Sequence, residues 1–90
     1  MASGVIQNGS TLYYVDETTA RSVTLTSGGY YNLGNTLTPA GTKIVSVGII
    51  AWTSNSGAFS LVPYGERGAY AVGAPNVTIA GLRCRYWYTF

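Results

Sequence analysis

The chain has 90 residues, of which only 9% are charged, and its formal net charge at pH 7 is +2. This length predicts a single domain, residues 1–90, and a hydrophobic content of 47% excludes disorder driven by charge. Because histidine is absent and Cys84 is the only cysteine, the composition excludes an internal disulfide, a Cys/His zinc site and a His-dependent catalytic triad.

The first half of the sequence is typical of β-structure. Short runs rich in Val, Ile, Thr and Tyr alternate with Gly, Asn, Ser and Pro, and no window has the spacing of an amphipathic helix. This pattern indicates an all-β sandwich or barrel. Strands are predicted over residues 12–15 and 21–26, joined by a polar connection at 16–20. Residues 27–42 are predicted as a loop, and loops of this length are often functional.

The second half begins with the strongest predicted strand, residues 43–53. Both of its faces have apolar residues, which favours a central strand that is covered on two sides. Residues 54–57 are predicted as a turn, and residues 58–62 as the hairpin partner of this strand. A second tight loop at 64–68 then precedes a short strand at 69–72.

The chain ends with two predicted strands, residues 77–79 and 82–90. Alternation in the last one predicts a buried face made of large, mostly aromatic side chains, which are Leu82, Cys84, Tyr86, Tyr88 and Phe90. Arg83, Arg85 and Trp87 take the opposite face. Cys84 is therefore expected to be an inert core residue.

Self-association is predicted from the composition. Twelve Phe, Trp and Tyr residues give a 90-residue chain more ring surface than a small core can cover, and few charges keep surfaces apart. Arginine and aromatic residues are enriched in protein interfaces, so Arg83, Arg85 and Trp87 are the predicted oligomer contacts.

No catalytic or metal site is predicted. The acids are Asp16, Glu17 and Glu66; the first two are adjacent and would point apart in extended chain, and Glu66 lies in a loop. The glycine-rich segments fit no phosphate-binding pattern, and we expect no cofactor. Sparse Lys and Arg residues predict no nucleic-acid ligand.

Targeting signals are not predicted either. The longest apolar run, residues 47–52, is too short to cross a bilayer, so no membrane insertion is expected. Residues 1–4 have neither a basic nor an apolar character, which predicts no signal peptide and synthesis in a cytoplasm.

Polar and aromatic side chains in the predicted loops suit a binding surface. Aromatic rings give contact area at low entropy cost, and amides and hydroxyls adapt their hydrogen bonds, so sugars fit such surfaces. The predicted receptor contacts are Tyr30, Tyr31, Asn32, Trp52, Asn55, Tyr64, Glu66, Arg67 and Tyr70.

Three stretches in the second half resemble the C-terminal receptor-binding head of a bacteriophage tail fibre: IVSVGIIAWTSNSGAFSL at 44–61, PNVTIAGL at 75–82 and RYWY at 85–88. The resemblance covers residues 44–90. It implies a small antiparallel β-sandwich, jelly-roll-like, which assembles as a homotrimer at a fibre tip in the virion. It also implies exposed loops that bind a bacterial surface glycan or protein.

The sequence thus favours a non-enzymatic adhesion module that uses several weak sites together. One alternative is a structural virion or assembly subunit, of the capsid-decoration type, which contacts only protein. Another is a small polysaccharide-degrading or carbohydrate-binding module, whose enzymatic form would depend on Glu66.

Overall fold

The computed structural model describes residues 2–7 and 10–90, with side chains from residue 12 onward. Within these residues the chain is all-β: it forms nine strands and no helix, and therefore no helix long and apolar enough to cross a membrane. The strands are β1 (Ala2–Gln7), β2 (Ser10–Asp16), β3 (Arg21–Thr24), β4 (Tyr30–Asn32), β5 (Lys43–Ala51), β6 (Ser54–Asn55), β7 (Phe59–Tyr64), β8 (Gly68–Gly73) and β9 (Thr78–Thr89).

The strands form two antiparallel sheets. In the larger sheet β1 pairs with β2, β2 and β3 pair with successive parts of one edge of β9, and β5 and β6 pair with its other edge. The smaller sheet has the order β4-β8-β7. Buried residues from both sheets belong to one core, which includes Ile79 and Leu82 from β9 and Ala69 and Ala71 from β8. The two sheets therefore pack face to face, as in a β-sandwich.

The long strand β9 organises the larger sheet. Its alternation confirms the predicted inward face, because Leu82, Cys84, Tyr86 and Tyr88 are all buried. Phe90 does not belong to this face: it follows the strand and is 76% exposed. The two strands predicted for the end of the chain form one continuous strand, which passes through Gly81 at φ +68°. The pairing with β3 shifts register at this point, so the strand bends without ending.

Strand β5 is an edge strand, and its interpretation as a central strand was wrong. Among the described residues it pairs only with β9. Two register shifts, between Ile44 and Ser46 and between Ile49 and Ala51, mark β-bulges that interrupt the alternation. Val45, in the first shift, is exposed, and so is Ile49. The apolar residues on both faces of this strand are thus explained by bulges and by exposure at the sheet edge. They do not indicate that the strand is buried on two sides.

Residues 58–62 were also assigned the wrong partner. The strand they begin, β7, pairs with β8 and lies in the smaller sheet, so it is not the hairpin partner of β5. The tight loop at 64–68 is confirmed as the turn that joins β7 to β8. Residues 54–57, predicted as a turn, include β6, and the predicted loop at 27–42 includes β4. Strand β1 precedes the strand that was predicted to be first.

Candidate functional site

Three tyrosine rings contact one another on the outer face of the smaller sheet. Tyr30 on β4, Tyr70 on β8 and Tyr64 on β7 share this face because the strand register places them diagonally across neighbouring strands. The ring centroids of Tyr30 and Tyr70 are 5.6 Å apart, and those of Tyr64 and Tyr70 are 4.8 Å apart. Tyr64 and Tyr70 are stacked, with 15° between their planes. The result is a row of rings that crosses all three strands.

The row of rings is exposed to solvent, and its hydroxyl groups are available to a ligand. Tyr30 is 46% exposed and Tyr64 is 62% exposed, while Tyr70 is half-buried between them. Within the part of the chain that is described, none of the three phenolic hydroxyls has a hydrogen-bond partner. Each ring therefore offers both a donor and an acceptor to a ligand, together with apolar area.

Asn32 completes this surface. It follows Tyr30 by two residues on β4 and lies directly opposite Tyr70. Its Oδ1 accepts a hydrogen bond from the backbone N–H of Gly34 at 2.9 Å, which fixes the amide. We call the surface formed by Tyr30, Asn32, Tyr64 and Tyr70 the tyrosine face.

Tyr31 does not belong to the tyrosine face. It lies between Tyr30 and Asn32 on β4, so the alternation of the strand turns it to the inner side. There it is half-buried and packs against the core. The structure thus places Tyr31, predicted as a receptor contact, apart from the other predicted contacts on β4.

Trp52 and Asn55 lie together, but on the larger sheet. They flank the start of β6, which pairs with β9, and Trp52 Nε1 donates to Asn55 Oδ1 at 3.2 Å. Asn55 Nδ2 in turn donates to the carbonyl of Gly57 at 2.8 Å. The Trp52 ring stays exposed, and it makes no ring contact with the tyrosine face among the described residues.

Glu66 and Arg67 occupy the turn between β7 and β8. Glu66 is exposed, and Arg67 adopts a left-handed backbone conformation with φ +63°. The carbonyl of Arg67 accepts a hydrogen bond from Asn35 Nδ2 at 3.1 Å. The turn after Tyr64 is thus fastened to the loop that follows β4.

The outer face of the larger sheet holds the predicted oligomer contacts. Arg85 forms two hydrogen bonds to the Asp16 carboxylate, at 2.6 and 2.9 Å, and its guanidinium lies 4.1 Å from the centroid of the Tyr14 ring. Tyr14 also contacts Trp87, with centroids 4.8 Å apart. These bonds to Arg85 lower the pKa of Asp16. Arg83 donates from Nε to the carbonyl of Glu17 at 3.0 Å.

A part-buried polar network beside β9 was not predicted. Glu17 Oε2 accepts hydrogen bonds from Arg21 Nη2 at 2.6 Å and from the Tyr86 hydroxyl at 2.9 Å, and Glu17 Oε1 accepts from the backbone N–H of Cys84 at 2.8 Å. Burial, with the nearby Glu17 charge, raises the pKa of Tyr86 and raises that of the Cys84 thiol to about 12. Cys84 is therefore an unreactive thiol.

The sequence signal for this network is weak. Glu17 lies in the segment interpreted as a polar connection, Arg21 begins the strand predicted after it, and Tyr86 is 69 residues from Glu17. Only strand pairing brings these groups together. Among the described residues, no three His, Cys, Asp or Glu side chains are grouped closely enough to hold a metal ion.

Comparison with known proteins gave no match: no family model matches the chain, and neither the curated proteins nor the solved structures include one that does.

Proposed function

We propose that this chain is a non-enzymatic receptor-binding module, the head of a phage tail fibre or of a similar fibre in a virion, which binds a glycan on the bacterial surface. The observation that carries the proposal is the row of three rings formed by Tyr30, Tyr70 and Tyr64. A natural chain seldom leaves such a row open without a partner, because exposed apolar patches mark interaction sites.

Glycan chemistry suits the tyrosine face. The C–H side of a sugar ring packs on an aromatic ring, whose face carries partial negative charge, and sugar hydroxyls bond to phenolic hydroxyls and amides. Rings from three adjacent strands, two of them stacked on each other, give a rigid surface for an oligosaccharide. Since tyrosine has few rotatable bonds, little conformational entropy is lost when a ligand binds.

The acidic residues support a binding role over a catalytic one. The Asp16 carboxylate is held by Arg85, and the Glu17 carboxylate is held by Arg21, Tyr86 and a backbone N–H. A glycosidase needs two carboxyl groups facing one another across a substrate. Glu66 stands in a separate turn, on the other sheet from Asp16.

We further propose that the head is a homotrimer that associates through the larger sheet. Arg83, Arg85 and Trp87 lie on the outer face of that sheet, and the exposed side chains of Val45 and Ile49 lie on its edge strand. The tyrosine face is on the opposite sheet, so this mode of association leaves it accessible. Three copies of a weak site on one tip raise the overall affinity without new contacts.

A glycan microarray tests the proposal, with Tyr64→Ala as the main variant and Phe90→Ala as its control. Both substitutions remove an exposed ring, but only Tyr64 belongs to the tyrosine face. We expect the parent to bind a defined set of bacterial glycans, Tyr64→Ala to bind them about tenfold or more weakly, and Phe90→Ala to match the parent. Equal loss in both variants, or binding that survives Tyr64→Ala, would contradict the assignment of the tyrosine face.

A further inference from the structure

A second candidate site lies where the connection between β2 and β3 faces the loop between β4 and β5. The two segments border an open cleft of about 360 Å³. Its walls include Glu17, Thr18, Thr19 and Arg21 on one side and Asn35, Thr36 and Leu37 on the other. Ligand pockets start at about 300 Å³, so this cleft has room for one small molecule. We call it the threonine cleft.

The loop wall of the threonine cleft is held in place by one side chain. Asn35 Oδ1 accepts a hydrogen bond from the Leu37 N–H at 3.0 Å, and Asn35 Nδ2 donates to Thr38 Oγ1 at 2.9 Å and to the Arg67 carbonyl. The Thr38 side chain is buried beneath the loop. A wall fixed in this way loses little entropy when a ligand binds.

The charged groups of the cleft are paired with each other or with the backbone, except that Arg21 Nε is buried without a hydrogen-bond partner among the described residues. Arg21 Nη2 is paired with Glu17, and Arg21 Nη1 donates to the carbonyl of Leu33 at 2.7 Å. The remaining oxygen of Glu17 accepts from the Cys84 N–H. Since one positive and one negative charge cancel here, the cleft offers no net charge to attract an ion.

The exposed and unpaired hydrogen-bonding groups of the cleft are hydroxyls. Within residues 12–90, the side chains of Thr18, Thr19 and Thr36 have no hydrogen-bond partner, and each can donate and accept. Leu37 adds an exposed apolar surface beside them. The complementary ligand is small, uncharged and rich in hydroxyls, with one apolar side, which describes a single sugar ring.

We propose that the threonine cleft binds one uncharged sugar residue, as a subsite separate from the tyrosine face. The choice of ligand rests on the glycan-binding role proposed above. The Asn35–Arg67 hydrogen bond connects the cleft wall to the turn that follows Tyr64.

Two-dimensional NMR of the ¹⁵N-labelled protein tests this inference, with the methyl glycosides of glucose, galactose, mannose and N-acetylglucosamine as probes. We expect at least one probe to cause saturable shifts of the amide signals of Thr18, Thr19 and residues 34–37. Glucuronate and inorganic phosphate are the charged probes, and both should bind more weakly than that glycoside. Tighter binding of either anion, or no saturable shift with any glycoside, would overturn the inference.

Matched variants locate the binding. Thr36→Val removes a hydroxyl from the cleft and should weaken glycoside binding about fivefold. Ser22→Ala removes an exposed hydroxyl from β3, outside the cleft, and should leave binding unchanged. Equal affinity in both variants would contradict the hydroxyl contact.

The same titration separates this inference from the proposed function. Tyr64→Ala should bind the glycoside like the parent, because Tyr64 does not line the cleft. If no glycoside binds in the threonine cleft but the array gives the expected result, only the proposed subsite is refuted. If the threonine cleft binds a glycoside but the array shows no role for Tyr64, only the assignment of the tyrosine face as a binding site is refuted.

Discussion

The hydroxyl of Tyr86 donates a hydrogen bond to Glu17 Oε2 at 2.9 Å, and the same carboxylate oxygen accepts from Arg21. Tyr86 is fully buried near the end of β9, Glu17 follows β2, and Arg21 begins β3. One carboxylate thus joins three strands of the larger sheet. A buried carboxylate is costly unless all of its bonds are made, so the fold depends on each partner.

Tyr86→Phe should lower the free energy of unfolding by about 1–3 kcal/mol, because it removes a buried donor and leaves the Glu17 carboxylate short of a partner. Urea denaturation followed by tryptophan fluorescence measures the change. Tyr64→Phe is the control: its hydroxyl has no partner among the described residues, and the expected change is within about 0.5 kcal/mol. A Tyr86 variant as stable as the parent would contradict the role of the network.

Gly81→Ala should destabilise the fold, whereas Gly48→Ala should not. Gly81 has φ +68°, which costs other residues roughly 1–2 kcal/mol, and a Cβ at this position would collide with Thr53. At Gly48 on β5, a Cβ would meet no atom within 4 Å and the backbone is not left-handed. Thermal unfolding of the two variants beside the parent measures the contrast. Equal melting temperatures for the two variants would show that β9 does not need a glycine at its bend.

The Asp16–Arg85 ion pair should give the fold an acid-dependent component of stability. Hydrogen bonding to Arg85 holds the pKa of Asp16 below its ordinary value of 3.8. The contribution is therefore complete above pH 3.8 and is lost as the pH falls through the lower folded-state value.

Denaturation midpoints measured in urea between about pH 5 and pH 2 test this sign. The parent should lose stability toward low pH more steeply than Asp16→Asn, which has no carboxylate to protonate. Arg85→Gln should show the same shallow slope, because the partner that lowers the pKa is gone. Parent-like slopes in both variants would exclude the pair as a source of acid sensitivity.

Assembly can be measured independently of any receptor. The proposed homotrimer should scatter light with three times the 9.5 kDa mass of one chain. Trp87→Ala should shift the mass toward the monomer, while Tyr30→Ala, on the other sheet, should not. A parent that stays monomeric at micromolar concentration would refute the trimer.

The sequence was most informative where alternation was strict and burial was complete. Leu82, Cys84, Tyr86 and Tyr88 alternate with polar or amphipathic residues, and their inward face was predicted. In β5 the bulge at Val45 shifts the register, and no residue pattern indicated that shift. Residues 58–62 were matched to the preceding strand because neighbouring strands often pair, but their partner was the following strand, β8.

The sequence predicted which residues contribute to the candidate site but not how they are arranged in space. Tyr30, Tyr64 and Tyr70 were predicted as separate loop contacts, and they meet because β4 and β7 both pair with β8. Tyr31 was placed with them since it is adjacent in sequence, yet alternation sends it to the core. The position of Tyr31 follows from the local alternation of β4, whereas the meeting of the three rings depends on long-range strand order, which a single sequence does not contain in a readable form.

Binding of the fluorescently labelled protein to a panel of bacterial cells tests most directly whether the tyrosine face binds glycans. The parent, the double variant Tyr30→Ala/Tyr64→Ala and the control Phe90→Ala are compared on each strain. Periodate treatment of the cells destroys sugar diols, and protease treatment removes surface proteins. If the tyrosine face binds glycans, the parent and Phe90→Ala should label at least one strain, and the double variant should not. Periodate treatment should abolish the labelling, and protease treatment should leave it unchanged. Labelling that resists periodate, or that the double variant retains in full, would contradict glycan binding by the tyrosine face.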